Sequence, residues 1–159
     1  MSTIEPQTRI GHVHLTVSDL ERAVAFYRDV LGFEITTRYG RDAVFLSAGG
    51  YHHHIGLNTW AGRGAPAPAP GTTGLYHFAI LFPDRASLAR AVRRVVDHGV
   101  PLEGAADHGV SEAVYLKDPD GNGVELYRDR PDTEWPRGGD GALSMYTRPL
   151  DLEGLLAES

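Results

Sequence analysis

Two histidines in this chain of 159 residues occupy equivalent positions in two similar segments. One segment runs from His12 to Asp19 and the other from His77 to Asp84, so that the histidines and the aspartates are each 65 residues apart. A third residue, Glu125, is the only carboxylate in the stretch 123–127. Two imidazoles and one carboxylate can hold a divalent metal and leave coordination positions open for a substrate and dioxygen. The residue types therefore predict a metal centre formed by His12, His77 and Glu125.

The elements that would position these residues repeat in the same order in both halves of the chain. Each histidine-bearing segment alternates apolar and polar residues like a strand and is followed by apolar residues at helical spacing. Three short alternating segments follow each helix, near 33–39, 43–48 and 53–60 in the first half and near 102–106, 112–117 and 123–128 in the second. The pattern predicts two βαβββ modules, 9–60 and 73–131.

Two segments lie outside the predicted modules. Residues 61–72 contain three prolines separated by alanines, which are unsuited to a sheet interior and favour a stiff linker. Residues 132–159 form a C-terminal tail, with a short helix predicted near 150–156. We therefore expect residues 1–131 to form one domain that contains both modules and the linker.

The helix of a βαβββ module covers one face of its sheet, and the alternating apolar residues belong on that face. In the first strand this places His12 and His14 on the open face. In the last two strands of the second module it places Tyr115 and Glu125 there, side by side. If the open faces of the two modules meet, His12, His77 and Glu125 converge in one cleft.

Composition narrows the functional classes. The chain has a formal net charge of −6 and no cysteine, which argues against nucleic acid or an anionic membrane as a partner and excludes disulfides and thiolate metal sites. No apolar run approaches the length of a membrane helix, and the first residues lack the features of a secretory leader. These properties predict a cytoplasmic protein that acts on a small molecule.

The same residues resemble a known family. The segments His12–Asp19, Ala25–Phe33, Gly74–Leu81 and Asp118–Tyr127 are similar to the vicinal oxygen chelate superfamily, and most of all to its bacterial catechol 2,3-dioxygenase-like members. The resemblance implies an α+β fold in which two tandem βαβββ modules form a curved mixed sheet around a central metal cleft. It also implies a divalent metal, with Fe(II) expected and Mn, Ni or Zn as alternatives, and a small catecholic substrate with dioxygen. The cleft can close within one chain or across two, and a homodimer or higher homo-oligomer is expected.

The resemblance also assigns roles near the metal. Tyr115, ten residues before Glu125, matches a tyrosine that hydrogen-bonds the substrate. His53 best matches a histidine that acts as acid and base for the catechol hydroxyl, whereas strand alternation places its neighbour His54 on the open face. His108 lies in the region of a further site histidine, although at a slightly different spacing. The predicted catalytic set is thus His53 or His54, with Tyr115 and His108.

Other members of this superfamily perform different chemistry. Glyoxalase I takes a fourth metal ligand, a glutamate, from the last strand of the first module, but residues 54–60 contain no carboxylate here. An antibiotic-binding protein on this fold needs no metal ligands, and an antibiotic-modifying enzyme uses cationic residues that the open faces lack. An extradiol ring-cleaving dioxygenase is therefore the favoured prediction, with a glyoxalase-like lyase or an antibiotic-resistance protein as the alternatives.

One motif points to a different site. Residues 118–129 imitate the loop of a calcium-binding EF-hand. The segments on both sides of it alternate like strands rather than helices, and a proline lies inside it. We therefore expect a β-hairpin turn at this point.

Overall fold

The structure, a computed structural model, describes residues 3–159. The first module contains β1 (Val13–Thr16), α1 (Leu20–Ala25) with a π-helical continuation (Phe26–Val30), β2 (Glu34–Tyr39), β3 (Ala43–Ser47) and β4 (Ile55–Asn58). The second module contains β5 (Phe78–Leu81), α2 (Arg85–Asp97), β6 (Leu102–Asp107), β7 (Ser111–Lys117) and β8 (Gly123–Asp129). A 3₁₀ turn (Asp132–Glu134), β9 (Arg148–Pro149) and α3 (Leu152–Leu156) follow.

The strands form two mixed sheets, one from each module. Their orders are β1-β4-β3-β2 in the first sheet and β5-β8-β7-β6-β9 in the second. In each module the first strand pairs in parallel with the last strand, and the other neighbours are antiparallel. This topology confirms the two predicted βαβββ modules. The short strand β9, which the sequence did not predict, extends the edge of the second sheet.

The aspartates of the repeat begin the two helices. The Asp19 carboxylate accepts a hydrogen bond from the backbone N–H of Arg22, and the Asp84 carboxylate accepts one from the backbone N–H of Ser87. Each aspartate thereby satisfies an N–H group that has no partner inside its own helix. Each aspartate stands where the first strand of its module has ended and the helix begins. The two aspartates therefore occupy the same position of the repeat, 65 residues apart.

The helix-covered sides of the two sheets share one hydrophobic core. Leu15 and Val17 at the start of the first module and Val124 and Leu126 of β8 are buried, as their alternation predicted. Residues of both helices lie in the same core. Because the covered sides of both sheets contribute to this common core, the open side of each sheet faces outward.

Tyr27 connects the two modules inside that core. Its ring is fully buried and stacks on Phe78, with 6.4 Å between the ring centroids. Its hydroxyl donates a hydrogen bond of 2.9 Å to Asp118 of the second module. Burial, followed by the negative charge of Asp118, raises the pKa of Tyr27 far above its usual value, so the phenol remains a hydrogen-bond donor.

Asp118 organises the turn that imitates an EF-hand loop. Its carboxylate accepts hydrogen bonds from the backbone N–H groups of Asp120 and Asn122, from the side-chain amide of Asn122 and from the Tyr27 hydroxyl. The residue is 5% exposed. The segment joins β7 to β8 in an antiparallel hairpin, which confirms the predicted turn.

Replacing Asp118 is expected to destabilise the whole domain. Asp118→Ala lowers the free energy of unfolding by about 2–4 kcal/mol, because four hydrogen bonds are lost and the buried Tyr27 hydroxyl is left without its acceptor. Tyr27→Phe removes only one of these bonds and costs about 1 kcal/mol. Urea unfolding followed by circular dichroism measures both values, and equal losses in the two variants would contradict this role of the carboxylate.

The C-terminal segment covers the second module. Strand β9 pairs with β6, and α3 lies against α2 with Leu155 fully buried.

Residues 61–72 contain neither helix nor strand. His98 ends α2, with its Nδ1 atom 2.8 Å from the carbonyl oxygen of Arg94. Across residues 3–159, none of the helices has both the length and the apolar character needed to pass through a membrane.

Candidate active site

The open face of the second sheet brings two of the predicted ligands into contact. His77 immediately precedes β5, and Glu125 lies on the neighbouring strand β8. The Nε2 atom of His77 is 2.8 Å from Oε2 of Glu125. Their side chains are 31% and 12% exposed, so both reach the surface from partly buried positions. This contact joins two of the three predicted metal ligands.

Gly123 makes this contact sterically feasible. A Cβ atom on residue 123 would lie 2.2 Å from the carbonyl oxygen of Tyr76 and 2.9 Å from Cβ of His77. Both distances are far below van der Waals contact, so any side chain here would push the start of β5 away from β8. The glycine therefore keeps His77 close to Glu125.

Tyr115 contacts Glu125 on one side and His108 on the other. Tyr115 is the cross-strand neighbour of Glu125, and its hydroxyl is 3.5 Å from Oε1 of that carboxylate. The same hydroxyl is 2.7 Å from Nε2 of His108. Burial, and then the negative charge of Glu125, raises the pKa of Tyr115 to about 12. Four of the predicted site residues thus form one connected row, from His108 through Tyr115 and Glu125 to His77.

A cavity of about 440 Å³ lies beside this row. Its lining includes His77, Tyr115 and the exposed ring of Tyr76. Lys117 and Glu103 also line it and form an ion pair of 3.1 Å. The volume is within the range of small-molecule sites, and the aromatic rings suit a planar ligand. The sequence reasoning did not include Lys117, although it shares the alternation of Tyr115 on β7.

The open face of the first sheet carries a cluster of histidines around His12. The ring centroid of His12 is 4.3 Å from that of His53, and the ring of His53 lies 4.9 Å from that of Phe45. The Nδ1 atoms of His52 and His53 are 2.7 Å apart. Burial, followed by the positive charge that His12 and His52 can carry, lowers the pKa of His53. His53 and His12 therefore belong to one surface.

His54 is bonded in a different direction from His53. Its Nδ1 atom accepts a hydrogen bond of 3.2 Å from the backbone N–H of Ala48 and is 3.1 Å from the Ser47 hydroxyl. Its ring is near Tyr51 and Phe33. Strand β4 begins only at Ile55, so the strand alternation that favoured His54 does not govern it. The structure thus places His53, and not His54, next to His12.

His14 lies on the same open face, above Gly56. A Cβ atom on residue 56 would be 2.9 Å from Cγ of His14, so glycine provides the space for this ring. Phe45 and Trp60 flank it, each at 5.7 Å between ring centroids. Burial, and then the nearby His12, lowers the pKa of His14. The first open face is therefore rich in aromatic and imidazole rings.

Within one chain, the structure brings together two of the three predicted metal ligands. His77 and Glu125 are in contact, but His12 belongs to the other sheet. Among residues 3–159, no three side chains of the His, Cys, Asp or Glu type lie close enough together to hold a metal ion. A three-ligand site therefore requires a further imidazole against the His77–Glu125 pair.

The surroundings of His108 include a contact that sequence reasoning missed. Its Nδ1 atom is 3.0 Å from the carbonyl oxygen of Tyr146, in the C-terminal segment. A main-chain carbonyl can come from any residue type, and the segment lies outside the repeat. The sequence therefore contains no signal that would have identified this partner.

Comparisons with known proteins identify the family of this chain. The family model described as Glyoxalase/Bleomycin resistance protein/Dioxygenase superfamily matches residues 9–126. A catechol-2,3-dioxygenase of Bacillus subtilis (strain 168) is 44% identical over 159 residues, which are 100% of this chain and 55% of that protein. The biphenyl-2,3-diol 1,2-dioxygenase 3 of Rhodococcus globerulus is 35% identical over 128 residues, covering 80% of this chain and 65% of that protein. The chain thus spans between half and two thirds of these two relatives.

A solved structure has a similar fold. The crystal structure of a lactoylglutathione lyase from Agrobacterium tumefaciens superposes with a TM-score of 0.59 at 30% sequence identity. The match covers 78% of this chain and 96% of that one.

Proposed function

This chain belongs to the glyoxalase/bleomycin resistance protein/dioxygenase superfamily, and from that membership we propose that it is a metal-dependent extradiol dioxygenase that opens the ring of a catecholic substrate. The contact of 2.8 Å between His77 and Glu125 carries the proposal, because it joins an imidazole and a carboxylate of the ligand types that such a site needs. The dioxygenase names of the Bacillus and Rhodococcus relatives support it. The protein would act on a soluble aromatic diol and dioxygen in the cytoplasm.

A glyoxalase-like lyase is the second candidate, favoured by the likeness to the Agrobacterium lyase. Strand β4 carries only Ile, Gly, Leu and Asn, so it supplies no carboxylate as a fourth ligand or as a proton-transfer group. Tyr115 and the histidines near His12 are the groups that an extradiol reaction would use. The dioxygenase is therefore the better match to the side chains.

The third ligand in this proposal is His12 of a second copy of the chain. The covered sides of both sheets are used in the common core, so the two open faces are available to another molecule. Large apolar side chains lie beside each half of the site: Ile10 is 94% exposed near His12, and Tyr76 is 89% exposed next to His77. Pairing the first open face of one copy with the second open face of another would cover them and complete the ligand set.

Each protein group has a defined task in this scheme. His77 and Glu125, with His12 of the second copy, would hold a divalent metal, expected to be Fe(II), which would supply a Lewis-acidic centre for the diol and dioxygen. The His53 imidazole accepts a proton from a substrate hydroxyl and later returns it. The Tyr115 hydroxyl forms a hydrogen bond with a substrate oxygen, and the aromatic rings on both open faces exclude water from the ring being opened.

Aerobic assays after anaerobic loading with Fe(II) test the function directly. We expect the loaded protein to convert at least one member of a catechol panel into a yellow ring-opened product. Glu125→Gln, treated in the same way, should lose metal and activity, whereas His98→Gln at the end of α2 should keep both. Absence of product from the whole panel, with turnover of a hemithioacetal instead, would support the lyase and refute the dioxygenase.

A further inference from the structure

The ring of His108 lies between two partners of different character. Its Nδ1 atom is 3.0 Å from the carbonyl oxygen of Tyr146 and 3.2 Å from the Thr147 hydroxyl. Its Nε2 atom is 2.7 Å from the hydroxyl of Tyr115. His108 is therefore the link between the C-terminal segment and the candidate active site.

These contacts determine which of the two ring nitrogens of neutral His108 carries the hydrogen. A carbonyl oxygen only accepts hydrogen bonds, so the Nδ1 atom that faces Tyr146 must be the protonated nitrogen. In a neutral imidazole the other nitrogen then has a free lone pair. Nε2 of His108 is therefore an acceptor, and the Tyr115 hydroxyl donates its hydrogen to it.

The hydrogen of Tyr115 is consequently unavailable to Glu125. A phenol has one hydrogen, and the contact of 2.7 Å with His108 is much shorter than the contact of 3.5 Å with Glu125. The lone pairs of the Tyr115 oxygen are then the part of the hydroxyl that a ligand meets. In this arrangement Tyr115 accepts a hydrogen bond from a substrate hydroxyl.

The C-terminal segment is held firmly against His108. The backbone N–H of Tyr146 donates to the carbonyl oxygen of His108 at 3.3 Å, which gives a second bond between the same two residues. Gly109 has a φ of 78°, and a Cβ atom there would lie 2.6 Å from the Tyr146 ring. The guanidinium of Arg148 lies over that ring, 4.1 Å from its centroid. Arg148 of β9 is in register with Asp107 of β6, which adds a strand pairing beside His108.

We propose that residues 146–149 are a positioning segment, in which the Tyr146 carbonyl fixes the Nδ1–H form of His108 and thereby orients the Tyr115 hydroxyl with its lone pairs toward the substrate. The segment lies outside the repeated modules, and it acts on the site only through His108. The catalytic consequence rests on the proposed dioxygenase function, whereas the hydrogen position on His108 does not.

Nitrogen-15 NMR of the full-length chain tests the hydrogen position without any need for turnover. Long-range correlations from the ring protons distinguish protonated from unprotonated ring nitrogens, and His108→Gln identifies the His108 signals among the eight histidines. At a pH where the ring is neutral we expect Nδ1 of His108 to be protonated and Nε2 to be unprotonated. The same result is expected in Tyr115→Phe, because Tyr146 rather than Tyr115 sets the form. A protonated Nε2 in the neutral wild-type ring would overturn the proposal.

Variants of Tyr146 test the role of the segment. Tyr146→Ala removes the ring that packs on Gly109 and under Arg148, so we expect Nε2 of His108 to become partly protonated. In the Fe(II)-loaded protein kcat should fall about tenfold with little change in KM, because substrate binding to the metal is retained. Tyr146→Phe keeps the packing and should resemble the wild type in both measurements.

The outcomes are separable. Retention of the wild-type hydrogen position in Tyr146→Ala, or a changed position with unchanged kcat, would overturn the positioning role. Arg148→Ala replaces Tyr146→Ala in both measurements if the latter fails to fold. If the wild type opens no catechol, the proposed function fails, and the NMR result still decides the hydrogen position.

Discussion

Mixing His12→Ala chains with Glu125→Ala chains, each inactive alone, is expected to restore about a quarter of the wild-type activity when the subunits exchange freely. In the proposed pairing, one site of a mixed dimer takes its His12 from the Glu125→Ala chain and its His77 and Glu125 from the His12→Ala chain. That site is intact, and the other site of the same dimer lacks both groups. In an equal mixture about half of the dimers contain one chain of each kind, and one of the two sites in each such dimer is intact. About a quarter of all sites are therefore active.

The physical basis of this expectation is the separation of the ligands in one chain. His77 and Glu125 are in contact on the second open face, while the ring of His12 lies beside that of His53 on the first. One core is built from the covered sides of both sheets. Bringing His12 to Glu125 within the same chain would require the two modules to separate at this core. That separation would break the buried hydrogen bond from Tyr27 to Asp118.

The matched control is a mixture of His77→Ala and Glu125→Ala chains. Both changes affect the same half of the site, so no combination of these chains contains an intact set of ligands, and no activity should return. Metal content and activity are measured on each mixture before and after the exchange step. Failure of the first mixture to recover activity, in a protein that is active as the wild type, would place all three ligands in one chain.

The architecture was accessible from the sequence because alternation and helical spacing report directly on which side of an element is apolar. Leu15 and Val17 are buried where the alternation of the first strand placed them. The same alternation placed Tyr115 and Glu125 side by side on adjacent strands. These features depend on local geometry, which repeats in both modules.

The arrangement of the two open faces was not accessible in this way. Alternation shows that a sheet has an apolar side, but it does not show which other part of the protein packs against that side. His53 and His54 illustrate a second limit, because both precede β4 and strand alternation does not govern them. The direction of the His54 ring follows from its bonds to Ala48 and Ser47. The contact between His108 and Tyr146 uses a main-chain carbonyl, which leaves no trace in residue type.

Loss of the His53 imidazole is the second large effect that we expect. His53→Gln should lower kcat by about 10²–10⁴-fold in the Fe(II)-loaded protein, because a positioned acid–base group contributes a factor of this size. Glutamine keeps a polar side chain of similar length beside Phe45 and His12, so the fold and the metal content should remain those of the wild type. Single-turnover rates, metal analysis and thermal unfolding of the same preparation separate a chemical loss from a structural one.

His54→Gln provides the comparison that decides between the two neighbouring histidines. The bonds from Ala48 and Ser47 direct the His54 ring away from His12, so its replacement should affect stability more than kcat. His98→Gln, at the exposed end of α2, measures the effect of a substitution of this type far from both open faces. A larger fall of kcat in His54→Gln than in His53→Gln would transfer the acid–base role to His54, and it would mean that the loop before β4 changes its conformation when the second copy binds.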